Sequence, residues 1–294
     1  MIYIITAMYT EAHAFITRFQ LKKDISHARF QVFKNEEAEL CLVISGVGSI
    51  PAAAAVSSIC TEYGTDQGDF LLNVGVCAGI WGENVNRANN ICQTGSIFLC
   101  NKIREQVTGK TFYPDILYRH GFTEAQIITG AKPYTKTDQA EIADTDFYLY
   151  DMEAAAIYQA GSYYFGPHQM GFLKIISDNG NSENVTPGQI ECLIGRNMES
   201  IADYITHLQA IAHQQQRSKP IQEDMTQKKL VKLCLDMHCS RTMSESVRQY
   251  IRYCILAGVD YNSVIEEMYQ KGQLPCKDKR EGKQCFEELK ERLL

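Results

Sequence analysis

The chain has 294 residues, 45% of them hydrophobic, and a formal net charge of −6. This length and apolar content suit one large domain with a sizeable core, alone or with a small appendage. The acidic balance carries no polyanion-binding signature. No uncharged apolar run reaches the ~18 residues of a membrane span, so Met1–Met8 is expected to be neither leader nor anchor.

Ile2–Ala7, β-branched and apolar, predicts a buried strand. Thr10 can cap a helix from Glu11 to about Phe19. Arg29–Lys34 and Leu40–Ser45 predict two paired strands. The turn Gly46-Val47-Gly48-Ser49 leads into an Ala-rich helix from Pro51 to about Tyr63, with Pro in the first turn, where its missing N–H is no loss. Such a turn can bind an anion through its N–H groups, or can be only a tight strand-to-helix connection. Phe70–Val74 predicts a strand ending in Gly75-Val76-Cys77-Ala78-Gly79. Further strands are expected near Ser96–Asn101, Gln126–Thr129 and Gly171–Ser177, and a helix over Glu153–Tyr164. Thr186-Pro187-Gly188-Gln189 has a capping-box pattern. It opens a long amphipathic helix with Ile190, Leu193, Ile194, Ile201, Ile205, Leu208 and Ile211 on one face. Strands alternating with helices predict an α/β fold, with ligands at the carboxyl ends of the strands.

His213–Asp224 is polar, has no apolar period and is expected to be a linker. The remainder predicts helices. Their stripes are Leu230, Leu233, Cys234 and Met237, then Val247, Ile251, Cys254 and Ile255 after a Thr242/Ser244 start, then Val264, Ile265 and Met268. A charged last segment carries Phe286, Leu289 and Leu293. The domain boundaries are therefore 1–212 and 225–294. Residues 218–294 carry 14 basic and 12 acidic side chains, against 15 and 23 in the first 217. That small positive excess makes nucleic acid an unlikely partner, and Arg241, Arg248 and Arg252 fit a solvated face.

The eleven cysteines form no CxxC pair. Cys41, Cys60, Cys77, Cys100 and Cys254 lie in apolar runs, the pattern of reduced thiols in a cytoplasmic protein. Cys234, His238 and Cys239 have helical spacing but no clear fourth ligand, so no metal is expected.

The chemistry concentrates in Asp151-Met152-Glu153-Ala154-Ala155-Ala156 and Ser177-Asp178. Two carboxylates from different elements, each beside small residues, suit glycosidic bond cleavage. One stabilises a positive sugar ring and the other protonates the leaving group. Five segments then occur in one order: Ile4-Ile5-Thr6-Ala7-Met8-Tyr9-Thr10-Glu11, Ser45-Gly46-Val47-Gly48, Asn73-Val74-Gly75-Val76-Cys77-Ala78-Gly79-Ile80, Asp151–Ala156 and Ile176-Ser177-Asp178. Together they make residues 1–212 resemble the nucleoside phosphorylase/nucleosidase superfamily, and within it the 5′-methylthioadenosine/S-adenosylhomocysteine nucleosidases of methionine salvage. The helical tail lies outside the resemblance.

The resemblance implies a mixed central sheet flanked by helices. It implies hydrolysis of the N-glycosidic bond of a purine nucleoside, with no metal or organic cofactor and a homodimer that bounds the 5′ substituent. Asp178 matches the acid that protonates adenine N7, a role helped by a dry strand end, which Ile175, Ile176 and Ser177 suggest. Glu153 matches the glutamate on the ribose hydroxyls. Glu11 matches the glutamate that orients water, although it also fits an exposed first-turn acid after Thr10. Met8, Ala78, Gly79, Met152 and Ser177 match substrate-contacting positions. Lys174 stands where the nucleosidases carry an Arg, and as a Lys it can make a point contact only. Val76 and Ser96 also depart from the pattern. Tyr134 is the candidate for stacking on the base. Asp151 fits either a functional role or a first-turn acid on the helix dipole.

Two rivals stay open. A phosphorylase of the same fold would need an Arg at the ribose, for instance Arg104. A nucleoside-sensing module with little activity would have no need of Glu11, Glu153 and Asp178 together.

Overall fold

The structure, a computed structural model, describes residues 1–26, 29–81, 92–134, 147–181, 185–218 and 221–293. Side chains of 214–218, 221–228, 241, 252, 255 and 256 lie outside the described ones, and with them the Arg241, Arg252 and Ile255 expectations. In chain order the first elements are β1 (Ile2–Thr6), α1 (Tyr9–Arg18), β2 (Lys22–Asp24), β3 (Gln31–Asn35), β4 (Leu40–Ile44), α2 (Ser49–Tyr63) and β5 (Phe70–Trp81). Then come β6 (Ile97–Glu105), β7 (Thr111–Phe112), β8 (Thr123–Thr129), β9 (Phe147–Asp151), α3 (Ala154–Gly161) and β10 (Met170–Asp178). Five helices follow: α4 (Pro187–Ser218), α5 (Ile221–Asp236), α6 (Arg241–Ala257), α7 (Tyr261–Gln270) and α8 (Lys279–Leu293). The chain divides into two compact units, Met1–Gln216 and Arg217–Leu294.

The first unit is a mixed sheet of ten strands, with helices packed on it. β1, β5 and β10 are near-continuous apolar runs with almost every side chain buried, as parallel strands covered on both faces require. β5 organises the sheet. It pairs parallel with β1 and with β10, and antiparallel with β9. β10 also pairs with β6, β6 with β8, and β8 with β9. Strands β5, β10, β6, β8 and β9 therefore close a ring, and β1, β4, β3 and β2 extend from it. The predicted face of α4 packs on this sheet: Ile190, Leu193, Ile194, Ile201, Ile205 and Leu208 are buried. Its capping box forms as expected. The Thr186 hydroxyl accepts from the Gln189 N–H at 3.3 Å, and the Gln189 side chain accepts from the Thr186 N–H at 2.8 Å.

Several elements differ from expectation for physical reasons. α1 begins at Tyr9, so Thr10 sits inside its first turn rather than capping it. α2 begins two residues before Pro51, which still occupies the first turn. β5 runs through the glycine-rich segment instead of ending at Val74. Its glycines make room: a Cβ on Gly75 would lie 2.8 Å from Glu11 Oε1, and one on Gly79 would lie 2.9 Å from the Ile176 side chain. The helix after Asp151 stops at Gly161. The polar segment expected as a linker from His213 continues α4 as helix to Ser218.

In the second unit the predicted stripes pack together. Leu233, Met237, Val247, Ile251, Cys254, Met268, Phe286, Leu289 and Leu293 are buried in one core. The α6 start is capped by Ser240, whose hydroxyl accepts from the Met243 N–H at 3.3 Å, rather than by Thr242 or Ser244.

Candidate functional site

The carboxyl ends of β1, β9 and β10 and the second half of β5 surround a cavity of about 290 Å³. Glu11, Glu153, Asp178, Met8, Ala78, Tyr134, Met152 and Ser177 all line it. Two anticipated residues do not. Gly79 lies beneath Ile176, so its missing side chain serves packing between β5 and β10. Lys174 is 1% exposed and lies behind the cavity wall.

Glu11 is buried, at 2% exposure, so it is not an exposed first-turn acid. Its carboxylate is held by main chain alone. Oε2 accepts from the N–H groups of Ala7 at 2.8 Å and Met8 at 3.0 Å, and Oε1 accepts from the Val76 N–H at 2.9 Å. Being third in the helix, Glu11 reaches back to the chain just before it, half of a capping box. Burial raises its pKa above the ordinary glutamate value. The three N–H groups and the charge of Lys174 oppose that rise.

Glu153 stands just before α3 and is also buried. Its Oε1 accepts from the Gly48 N–H at 2.7 Å. The Gly46–Ser49 turn therefore does bind an anion, and the anion is the protein's own Glu153. Burial, with Asp151 close by, pushes the Glu153 carboxyl up to about 7, while Lys174 and the Gly48 N–H pull the other way.

Asp151 ends β9 and stands ahead of α3, not in the helix's first turn. It lines the cavity. It also caps α3: Oδ2 accepts from the Ala154 N–H at 2.9 Å, and Oδ1 accepts from the Thr129 hydroxyl at 2.7 Å. Lys174 Nζ lies 2.7 Å from Oδ2, and both side chains are 1% exposed. Burial alone would depress the Lys174 pKa. The carboxylates of Asp151, Glu153 and Glu11 outweigh it and hold the ammonium charged. The lysine thus neutralises part of a buried acidic cluster instead of contacting the cavity.

Asp178 ends β10 and is half-buried, so the strand end is less dry than its isoleucine neighbours suggest. Oδ1 accepts from the N–H groups of Gly180 and Asn181, each at 2.8 Å. The Ser177 hydroxyl lies 2.8 Å from Oδ2 and 3.1 Å from the Cys77 carbonyl. A hydroxyl has one proton, so it can serve one of these acceptors at a time. With a proton on Oδ2, Asp178 donates to Ser177 and Ser177 donates to Cys77. The arrangement therefore satisfies both protonation states of Asp178, as a group that gives up and regains a proton needs.

Tyr134 is buried with its ring edge-on to Tyr150 at 5.2 Å. It rests on the backbone of Gly180, where φ is +84° and a Cβ would come within 2.6 Å of the ring. Among the described residues its buried hydroxyl has no hydrogen-bond partner. Val47, Val185 and Ile190 give the cavity an apolar side. Arg104 is exposed on β6, away from this cavity, and among the described residues no Arg or Lys lines it. Sequence reasoning left Thr129 unnoticed. A lysine inside the apolar strand Gly171–Ser177 was the available signal that a buried carboxylate had to sit opposite.

The sheet order and the position of this cavity define the nucleoside phosphorylase/nucleosidase fold. The chain is similar to a 5′-methylthioadenosine/S-adenosylhomocysteine nucleosidase from Colwellia psychrerythraea 34H in complex with adenine: 18% identity over 70% of this chain and 95% of that one, TM-score 0.57. It is similar to the Streptococcus pneumoniae MTA/SAH nucleosidase in complex with 8-aminoadenine: 20% identity, 71% and 99% coverage, TM-score 0.56. It also resembles the futalosine hydrolase of Helicobacter pylori: 14% identity, 69% and 97% coverage, TM-score 0.54. No family profile and no curated protein sequence matches the chain.

Proposed function

We propose that the first unit hydrolyses the N-glycosidic bond of a purine nucleoside, releasing the base. The observation that carries this reading is the convergence of four carboxylates, from α1, the end of β9, the start of α3 and the end of β10, on one cavity with no Arg or Lys among its described lining residues. Asp178 protonates the base at N7, so that it leaves neutral. Glu153 holds the ribose hydroxyls and stabilises the positive charge that grows on the ring. Glu11, whose burial strengthens its hold on a proton, takes one from the attacking water. A phosphate nucleophile would meet this carboxylate with no cation among the described lining residues to hold it.

An adenine nucleoside with a 5′-thioether substituent fits best, either methylthioadenosine or S-adenosylhomocysteine. The apolar wall of Val47, Val185 and Ile190 supports that choice. We also infer a homodimer. Tyr9, Val47 and Ile50 are large exposed apolar residues on or beside segments that line the cavity, so a second copy would cover them. The cysteines are free thiols, which supports a cytoplasmic setting.

The test is base release from methylthioadenosine, S-adenosylhomocysteine and adenosine, each with and without phosphate. Phosphate-independent release, fastest from a thio-substituted nucleoside, is the expected result. Strict phosphate dependence would make the protein a phosphorylase. Binding without release would make it a sensor.

A further inference from the structure

The second unit brings together four cysteines that lie far apart in sequence, and they fall into two pairs. The first pair is built by the end of α5. The Cys239 N–H donates to the Cys234 carbonyl at 2.9 Å, and the His238 N–H to the Leu235 carbonyl at 3.0 Å. His238 has a φ of +49°. These are the two bonds and the left-handed residue of a Schellman motif, which sets the side chains of its third-last and final residues against each other. In this chain those residues are Cys234 and Cys239. The second pair is Cys276, which precedes α8, and Cys285 within it. Both thiols lie 3.5 Å from one acceptor, the Gln273 carbonyl. The Cys276 N–H donates to the Asp236 carbonyl at 2.8 Å, and its own carbonyl lies 3.0 Å from His238 Nε2, so the two pairs adjoin.

We propose that these pairs are two dithiol modification sites, each closing to a disulfide, Cys234–Cys239 and Cys276–Cys285, by exchange with a low-molecular-weight disulfide. The Schellman bonds hold the first pair close and the shared Gln273 carbonyl gathers the second, and a disulfide requires that proximity. In each site one thiolate attacks a sulfur of the small disulfide and expels one small thiol. The neighbouring thiol loses its proton and attacks the mixed disulfide, expelling the second small thiol. Two protein thiols are oxidised and the small disulfide is reduced to two thiols. Cys276 is buried whereas Cys285 is partly exposed, so Cys285 meets the reagent and Cys276 resolves it. Burial pushes the Cys276 thiol up to about 12, in keeping with a protonated resolving partner. Among the described residues no group of three or more Cys, His, Asp or Glu is arranged to hold a metal.

The test treats the full chain with oxidised glutathione, alkylates the remaining thiols and maps them by peptide mass spectrometry. The expected result is Cys234–Cys239 and Cys276–Cys285 bonds without retained glutathione, while exposed Cys192 keeps a glutathione adduct. With Cys239→Ser or Cys276→Ser, the surviving partner should keep the adduct instead. Stable adducts on the native pairs, bonds between the pairs, or thiols that react only after a chelator removes zinc would each overturn the proposal.

Discussion

Replacing Lys174 with methionine removes the cation behind the cavity and keeps most of the side-chain volume. Asp151 would retain the Thr129 hydroxyl at 2.7 Å and the Ala154 N–H at 2.9 Å, but would lose Nζ at 2.7 Å. Both side chains are 1% exposed, so the stranded carboxylate has almost no access to solvent. Leaving one charge of a buried pair uncompensated costs about 3–5 kcal/mol. The loss spreads to Glu11 and Glu153, whose proton affinity Lys174 lowers. In the double variant Asp151→Asn, Lys174→Met both charges are gone. It should recover on the order of 2 kcal/mol relative to the sum of the single losses. The chain has one tryptophan, Trp81, and it lies on β5 in the first unit. Its fluorescence in a urea titration therefore follows that unit apart from the helical one. With a slope of about 2–3 kcal/mol/M, the single variant should lower the midpoint by about 1–2 M. A loss under about 1 kcal/mol, or a double variant no better than additive, would refute the view of this pair as a compensated buried charge.

Four further outcomes are expected. Asp178→Asn should reduce base release by about 10²–10⁴-fold while leaving the urea midpoint unchanged, and near-normal turnover would remove it as the acid. If the ribose contact needs the Glu153 carboxylate, a pH–rate profile should rise through about 7, where that group ionises, and the limb should vanish in Glu153→Gln. Stability runs the other way. The folded value lies above the ordinary 4.5, so this contribution is present below 4.5 and is lost as pH rises through about 7, which urea midpoints against pH would register. Gly75→Ala puts a methyl group 2.8 Å from Glu11 Oε1 and should lower turnover at least tenfold, with unchanged activity showing that Glu11 need not stay in place. Tyr134→Phe removes a buried, unpartnered hydroxyl and should hold or raise stability by about 1 kcal/mol, whereas a loss of that size in a urea titration would reveal a partner.

The parts of this fold that follow from local pattern were open to reading. β1, β4 and β10 are unbroken apolar runs, and α4 shows its period over many turns. β2 and β7 are two or three residues long with little buried surface, so they leave no hydrophobic signal. β9, Phe-Tyr-Leu-Tyr-Asp, is rich in strand-forming aromatics but is short and buried on both faces, so it lacks the alternation that marks a half-exposed strand. β5 ran past its expected end because glycine marks both a turn and a close approach, and only the packing partner distinguishes them. At the site, Glu11, Glu153 and Asp178 stood in quotable motifs. The bond from Thr129 to Asp151 and the one from Gly48 to Glu153 span 22 and 105 residues, and no local pattern encodes them.

The grip on Glu11 bears on how this chain can drift. Its three donors are main-chain N–H groups, of Ala7, Met8 and Val76, and a main-chain donor is present whatever side chain the residue carries. Valine at position 76 therefore costs the carboxylate nothing. The demand falls instead on Gly75, one residue away, where a side chain cannot fit. A saturation scan of this segment should find residue 76 tolerant of most non-proline substitutions and residue 75 tolerant of almost none. Evolutionary freedom and constraint would then alternate along one strand according to whether a residue lends its backbone or its emptiness.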